Sequence, residues 1–94
     1  MLIGSWIGKP GATPPGMMLT FKPGGRFQCQ VKETANEVIP GSYEVISEQH
    51  LKIFLHSPFG PPSLFVDCQY GVDDMSLIFA FENGETWLFS KLGA

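Results

Sequence analysis

The chain contains eight short apolar or alternating runs, about ten residues apart, each ended by Gly, Pro, Asn or Asp. Runs of this length, separated by turn residues, are typical of an all-β sandwich or barrel. With an even number of antiparallel strands, the first can pair with the last, which closes the sheet and removes its edges. The pattern therefore predicts an eight-stranded antiparallel up-and-down barrel with little or no helix. The predicted strands are 5–9, 17–22, 26–32, 41–47, 51–56, 63–70, 75–82 and 86–92.

The connections between the runs predict that the two ends of the barrel differ. If each run joins the next as a hairpin, one end carries the connections 10–16, 33–40, 57–62 and 83–85, and the other carries 23–25, 48–50 and 71–74. Three of the first four are long, while all of the second set are short. We therefore expect a tight end and an open, loop-covered mouth. Segments 8–16 and 57–62 are rich in Pro and Gly and are expected to be irregular, and only 32–38 has a helix-tolerant composition.

Length and composition indicate one small globular domain, residues 1–94. Hydrophobic residues make up 44% of the chain and charged residues only 16%, against roughly 25% charged residues in typical soluble domains. Part of the outer surface is therefore expected to be apolar. We find neither a signal peptide nor an apolar run of membrane-spanning length. These features predict a cytoplasmic protein that is not bound to a membrane.

The sequence predicts no catalytic, cofactor or metal chemistry. Nucleophile elbows, Cys-x-x-Cys pairs, His-Glu-x-x-His motifs and phosphate-binding loops are all missing. Cys29 and Cys68 stand alone inside apolar runs, as small buried hydrophobes do. His50 and His56 lie on one strand about 20 Å apart, at ~3.3 Å per residue, too far to share a metal ion. The net charge of −3 also disfavours binding to nucleic acid.

Alternation along the runs assigns side chains to the inner and outer faces of the wall. The inward set includes Val45 and Leu64, and it also includes Tyr43, Tyr70 and Trp87, whose polar groups could orient a ligand. Five apolar residues on strands five to eight are expected to point outward and to form one patch: Phe54, Phe65, Ile78, Ala80 and Leu88. Because large apolar patches often mark interfaces, this one predicts a homodimer.

Several motifs in order resemble those of short bacterial lipocalin-like domains of the calycin superfamily. Gly4-Ser5-Trp6 matches their Gly-x-Trp signature, and Leu-Thr-Phe-x-x-x-Gly-Arg-Phe (19–27), Gly-Ser-Tyr-Glu-Val (41–45) and Leu-Lys-Ile (51–53) follow. The resemblance implies that Trp6 packs across the closed end beneath Lys91. It also implies that small apolar ligands enter at the opposite mouth. The chain departs from full-length lipocalins because it lacks their Thr-Asp-Tyr motif and C-terminal helix.

Two interpretations of function remain open. In the first, a lipocalin-like barrel binds a small apolar ligand at its mouth, through the residues Met17, Tyr43, Phe59, Tyr70 and Trp87. In the second, the interior is filled, and the barrel is a protein-interaction or structural module that self-associates through its outer wall. A third hypothesis, an oligonucleotide-binding barrel, is disfavoured by the eight runs and the acidic balance.

Overall fold

The eight runs form eight antiparallel strands that close into a barrel, which confirms the predicted fold class. The structure is a computed structural model and describes residues 2–9, 17–31, 38–57 and 60–92, among which there is no helix. Most of the helix-tolerant segment lies outside these residues. Each strand pairs with the next, and β8 pairs back with β1. The strands are β1 (Gly4–Gly8), β2 (Met17–Lys22), β3 (Arg26–Val31), β4 (Ile39–Ser47), β5 (His50–Ser57), β6 (Gly60–Val72), β7 (Ser76–Ala80) and β8 (Thr86–Lys91).

A packed apolar core fills the middle of the barrel. On β2 and β3, the paired residues Leu19 and Cys29 are both buried, and so are Phe21 and Phe27. Among the described residues, thirteen hydrophobic side chains are at most 5% exposed: Trp6, Met17, Leu19, Phe21, Phe27, Cys29, Leu51, Ile53, Val66, Cys68, Leu77, Phe79 and Phe89. Burying one large apolar side chain stabilises a fold by roughly 1.5–3 kcal/mol. This core is therefore the main source of stability.

Trp6 and Lys91 close the tight end of the barrel, the end that carries the β2–β3, β4–β5 and β6–β7 turns. Trp6 is fully buried, and its indole N–H donates to the carbonyl oxygen of Leu2 at 3.0 Å. The Lys91 ammonium lies 4.6 Å from the centroid of the Trp6 ring and donates to the carbonyl oxygen of Ile3 at 2.7 Å. Gly4 has a φ of +132°, and a Cβ at this position would overlap the Lys91 ammonium. Only glycine adopts this positive φ without strain and also leaves room for the ammonium group.

A bulge in β6 reverses the predicted orientation of two residues. Ile53 pairs with Val66 but Phe54 pairs with Leu64, so Phe65 is an extra residue on β6. Leu64 is 55% exposed, whereas Phe65 is half-buried and packs against the core. The expected inward position of Leu64 and outward position of Phe65 are therefore wrong, because one inserted residue exchanges the two faces of a strand. Val45 was also expected inward, but it is 45% exposed beside a second register shift between Val45 and Ser47.

The strand β6 extends well beyond its neighbour β7. It pairs with β5 over most of its thirteen residues, but with β7 only from Gln69 to Val72. Within the described part of the chain, residues 60–67 therefore have a strand partner on one side only. Pro61 and Pro62 belong to this segment, so the expectation that 57–62 is irregular is wrong from Gly60 onward. Both prolines are tolerated here because residues 61 and 62 fall at the register shift between Leu55 and Ser57, where neither has a partner on β5, and because an edge strand needs no donor on its free side.

The close packing of Gly41 gives a test of the barrel wall. A Cβ on Gly41 would overlap the backbone carbonyl oxygen of Phe54 on β5, and it would lie 3.3 Å from the Phe27 ring. A backbone oxygen cannot move aside without disturbing the β4–β5 pairing. We expect Gly41→Ala to lower the free energy of unfolding by about 1–3 kcal/mol, measured by denaturant titration. In the control Gly60→Ala, the new methyl meets nothing within 4 Å, so a similar loss there would contradict this interpretation.

Candidate functional site

Three half-buried aromatic residues lie at the loop end of the barrel, the end that carries the β1–β2, β3–β4, β5–β6 and β7–β8 connections. We call Phe65, Phe81 and Trp87 the aromatic cluster. The Trp87 ring centroid lies 4.8 Å from that of Phe81 and 6.2 Å from that of Phe65. The Trp87 indole N–H donates to a carboxylate oxygen of Glu85 at 3.0 Å. Glu85 lies in the β7–β8 turn, where the Phe81 N–H donates to its carbonyl oxygen, and Trp87 follows at the start of β8.

The residues predicted to bind a ligand do not lie together. Met17 begins β2 at the loop end and is buried, and Trp87 belongs to the aromatic cluster. Tyr43, by contrast, lies at the tight end. Its hydroxyl donates to the carbonyl oxygen of Lys22 at 3.0 Å, and its ring meets the Phe21 ring edge-on. The expected position of Tyr43 at the mouth is therefore wrong, and burial raises the pKa of its hydroxyl.

Tyr70 also lies towards the tight end, because its backbone N–H donates to the carbonyl oxygen of Gln49 in the β4–β5 turn. Phe59 lies outside the described residues. The structure thus separates two of the five predicted residues from the loop end and leaves one undescribed. Their role in binding a ligand stays a prediction.

The predicted outer patch keeps four of its five members. Phe54, Ile78, Ala80 and Leu88 lie on the outer wall, and Phe65 does not. Ile78 is 39% exposed and lies between its strand partners Gly71 and Leu88. Shallow grooves of about 430 and 240 Å³ flank it, and Gly71 and Ile78 line both of them. The role of this wall as an interface stays a prediction.

A groove of about 820 Å³ lies on the outer wall where β6 and β7 diverge. We call it the fork groove. Its first side is formed by β6 and the β4–β5 turn, and its second side by the end of β7 and the turn that follows. Polar side chains predominate, and the lining residues are Ser47, Gln49, His50, Asp67, Cys68, Gln69, Ala80, Phe81 and Glu82.

The fork groove holds a small network of charges. The His50 imidazole bonds to one carboxylate oxygen of Asp67, and the Lys52 ammonium lies 4.0 Å from the other. The hydrogen bond from His50 and the charge of Lys52 lower the pKa of Asp67. Beneath the groove, burial and the neighbouring carboxylate of Asp67 raise the pKa of the Cys68 thiol to about 11. Cys68 is therefore protonated and a poor nucleophile at neutral pH.

Sequence reasoning did not identify the fork groove. His50 and Asp67 are seventeen residues apart and meet only because β5 and β6 pair in this register. Pro61 and Pro62 are the one signal in the sequence that could have indicated it. Prolines within a strand are confined to edges and bulges, so they indicate that this part of β6 lacks a neighbour on one side. Among the described residues, no three His, Cys, Asp or Glu side chains come close enough together to bind a metal ion. Nor does the described part of the chain contain a helix of the length and hydropathy needed to cross a membrane.

The Asp67–His50 pair predicts a measurable acid titration. Because the folded-state pKa of Asp67 is below its ordinary value, the pair stabilises the fold above the unfolded-state pKa. That stabilisation is lost as pH falls through the folded-state pKa. We expect the Asp67 carboxyl to titrate below pH 3.8 in an NMR experiment. His50→Ala should raise this midpoint, since it removes the largest cause of the shift, whereas His56→Ala should not. An unchanged midpoint in His50→Ala would contradict the assignment.

Comparison with known proteins gives a fold and no family. No family model matches the chain, and no curated protein matches it. A solved structure of a DUF4847 family protein from Bacteroides vulgatus matches 83% of this chain with a TM-score of 0.52 and 21% identity. The chain spans 60% of the length of that protein. The likeness is one of fold, and it agrees with the barrel described above.

Proposed function

We propose that this barrel is a non-catalytic protein-interaction module that forms a homodimer through its outer wall, with the interior serving as a packed scaffold. The observation that carries the proposal is the position of Ile78. Its exposed side chain stands between two grooves, on a wall that also carries Phe54, Ala80 and Leu88.

The filled interior supports binding on the outside. An eight-stranded barrel is just wide enough either to be filled by side chains or to hold one small ligand. Here Trp6, Phe21, Phe27, Phe79 and Phe89, all at most 1% exposed, occupy the interior together with eight smaller side chains. Every buried side-chain nitrogen or oxygen among the described residues already has a hydrogen-bond partner. A ligand would therefore have to displace packed core residues to enter the middle of this barrel.

The shape around Ile78 supports contact with a second copy. A Cβ on Gly71 would meet the Ile78 side chain at 3.3 Å, so the isoleucine packs over a glycine and projects from the wall. In a two-fold dimer, each surface must fit a copy of itself. A projecting side chain beside two grooves meets this requirement, because the Ile78 of each copy can enter a groove of the other.

A second candidate function is the binding of a small apolar ligand at the loop end, as the resemblance to lipocalin-like domains implies. The aromatic cluster favours it, since Phe65, Phe81 and Trp87 are half-buried and offer ring surfaces beside one polar pair, the Trp87 indole N–H and the Glu85 carboxylate to which it donates. Aromatic walls with few polar groups are typical of small-molecule sites. This function would need only the rim of the barrel and not its packed middle.

The dimer is tested by sedimentation velocity at micromolar concentration. We expect the unmodified chain to form a dimer and Ile78→Lys to be monomeric, because a charge would be buried in the contact. Ile46→Lys is the matched control, since Ile46 is 47% exposed but lies on β4, away from this wall. A monomeric unmodified chain would overturn the dimer.

The two candidate functions are separated by titration with a fluorescent fatty-acid probe. If the interior is only a scaffold, we expect no saturable binding, and native mass spectrometry of the purified chain should show no bound small molecule. Stoichiometric binding that is lost in Trp87→Ala but kept in Tyr43→Phe would favour the loop-end site instead. Tyr43 is the control because it lies at the tight end.

A further inference from the structure

Among the described residues, the first part of β6 has a strand on one side only. In the described part of the chain, residues 60–67 pair with β5 and have no strand on their other side. Pro61 and Pro62 remove backbone donors from the start of this edge, which leaves 63–67 as the segment able to accept another strand. An exposed strand edge is a template for an added extended chain.

The fork groove continues from this edge and is negatively charged. Asp67 on β6 and Glu82 on the turn after β7 both line it. Glu85 lies in the same turn and bonds to the Trp87 indole. Against these three carboxylates, the neighbouring basic groups are His50 and Lys52, both of which already contact Asp67. An extended chain entering the groove would therefore be favoured if it carried basic side chains.

Apolar surface adjoins the same edge. Leu64 is 55% exposed, and Phe81 both lines the fork groove and contacts the ring of Trp87. Side chains of an added strand alternate between two faces. The inner face of the added strand would lie towards the aromatic cluster, while its outer face would lie beside Leu64 and the carboxylate of Asp67. The surface thus suits a strand in which apolar and basic residues alternate.

A second copy of β6 suits this edge poorly. Antiparallel pairing of two β6 edges would bring Pro61 and Pro62 of each copy beside the other strand, where they cannot donate hydrogen bonds. Both copies would also bring Asp67 to the contact. Prolines at the start of an edge are a known device against edge-to-edge assembly. A separate peptide has neither feature.

We propose that residues 63–67 of β6 bind an extended peptide with alternating basic and apolar side chains, which adds a strand to the barrel and lies along the fork groove. This site goes beyond the proposed dimer, because it uses the edge of β6 rather than the wall around Ile78.

The test uses three short peptides with blocked ends: alternating Lys and Val, alternating Glu and Val, and Lys-Val methylated at every backbone nitrogen. Binding is measured by isothermal titration and mapped by amide shifts in NMR spectra of the whole chain. We expect the Lys-Val peptide to bind at least tenfold more tightly than the Glu-Val peptide. We also expect the methylated peptide not to bind, because it cannot complete a β ladder. The largest shifts should fall in residues 63–69 and 80–82.

Variants of the barrel complete the test. Asp67→Asn combined with Glu82→Gln should weaken binding of the Lys-Val peptide by about threefold to tenfold, as expected for two exposed charges. Asp74→Asn, in the β6–β7 turn at the tight end, is the matched control and should leave the affinity unchanged. The proposal is overturned if no peptide binds, if the methylated or Glu-Val peptide binds equally well, or if the shifts lie elsewhere. A monomer in the sedimentation experiment would overturn the dimer and leave this result unaffected.

Discussion

The pairing of β1 with β8 is the contact on which the closed barrel depends, and it rests on very few residues. Among the described residues, three pairs join the two strands, from Trp6–Lys91 to Gly8–Phe89, and backbone hydrogen bonds from Lys9 to Leu88 and from Leu92 to Ser5 extend the contact at its ends. The Lys91 side chain reinforces this short ladder, because its ammonium covers the Trp6 ring and bonds to the carbonyl of Ile3. A contact between a cation and an aromatic ring contributes about 0.5–2 kcal/mol, depending on its exposure. Gly4 leaves the space in which the ammonium lies, so three residues together secure the closure.

Much of the fold could be predicted from the regular spacing of turn residues and from the alternation of apolar and polar residues, because both are local properties of the sequence. All eight strands occur near their predicted positions. The orientation of Leu64 and Phe65 could not be predicted in the same way. Both are large apolar residues, so the pattern is equally consistent with either face, and the bulge that decides between them depends on pairing with β5. Where neighbouring residues are all apolar, the sequence pattern does not show which of them is the extra residue of a bulge.

The expected position of Tyr43 at the mouth was wrong for a related reason. The strand β4 begins at Ile39, two residues before its predicted start, which places Tyr43 fifth along the strand rather than third. Its N–H then donates to the carbonyl of Gly25 in the β2–β3 turn, at the tight end. The fork groove could not be predicted because it arises where β6 pairs with β7 over fewer residues than with β5. The sequence gives the length of a run, whereas the tilt and stagger of the closed sheet determine how much of β6 finds a partner.

Size explains why the interior of this barrel is filled. A cavity able to hold a small ligand occupies about 300 Å³ or more. At ~24 cal/mol for each Å³ of cavity, leaving that space empty would cost about 7 kcal/mol. This is comparable with the whole stability of a small domain, about 5–15 kcal/mol. A chain of 94 residues has little core with which to offset such a loss. Filling the interior with Trp6 and its neighbours avoids the cost and leaves the wall, the free edge and the rim as the surfaces available for recognition.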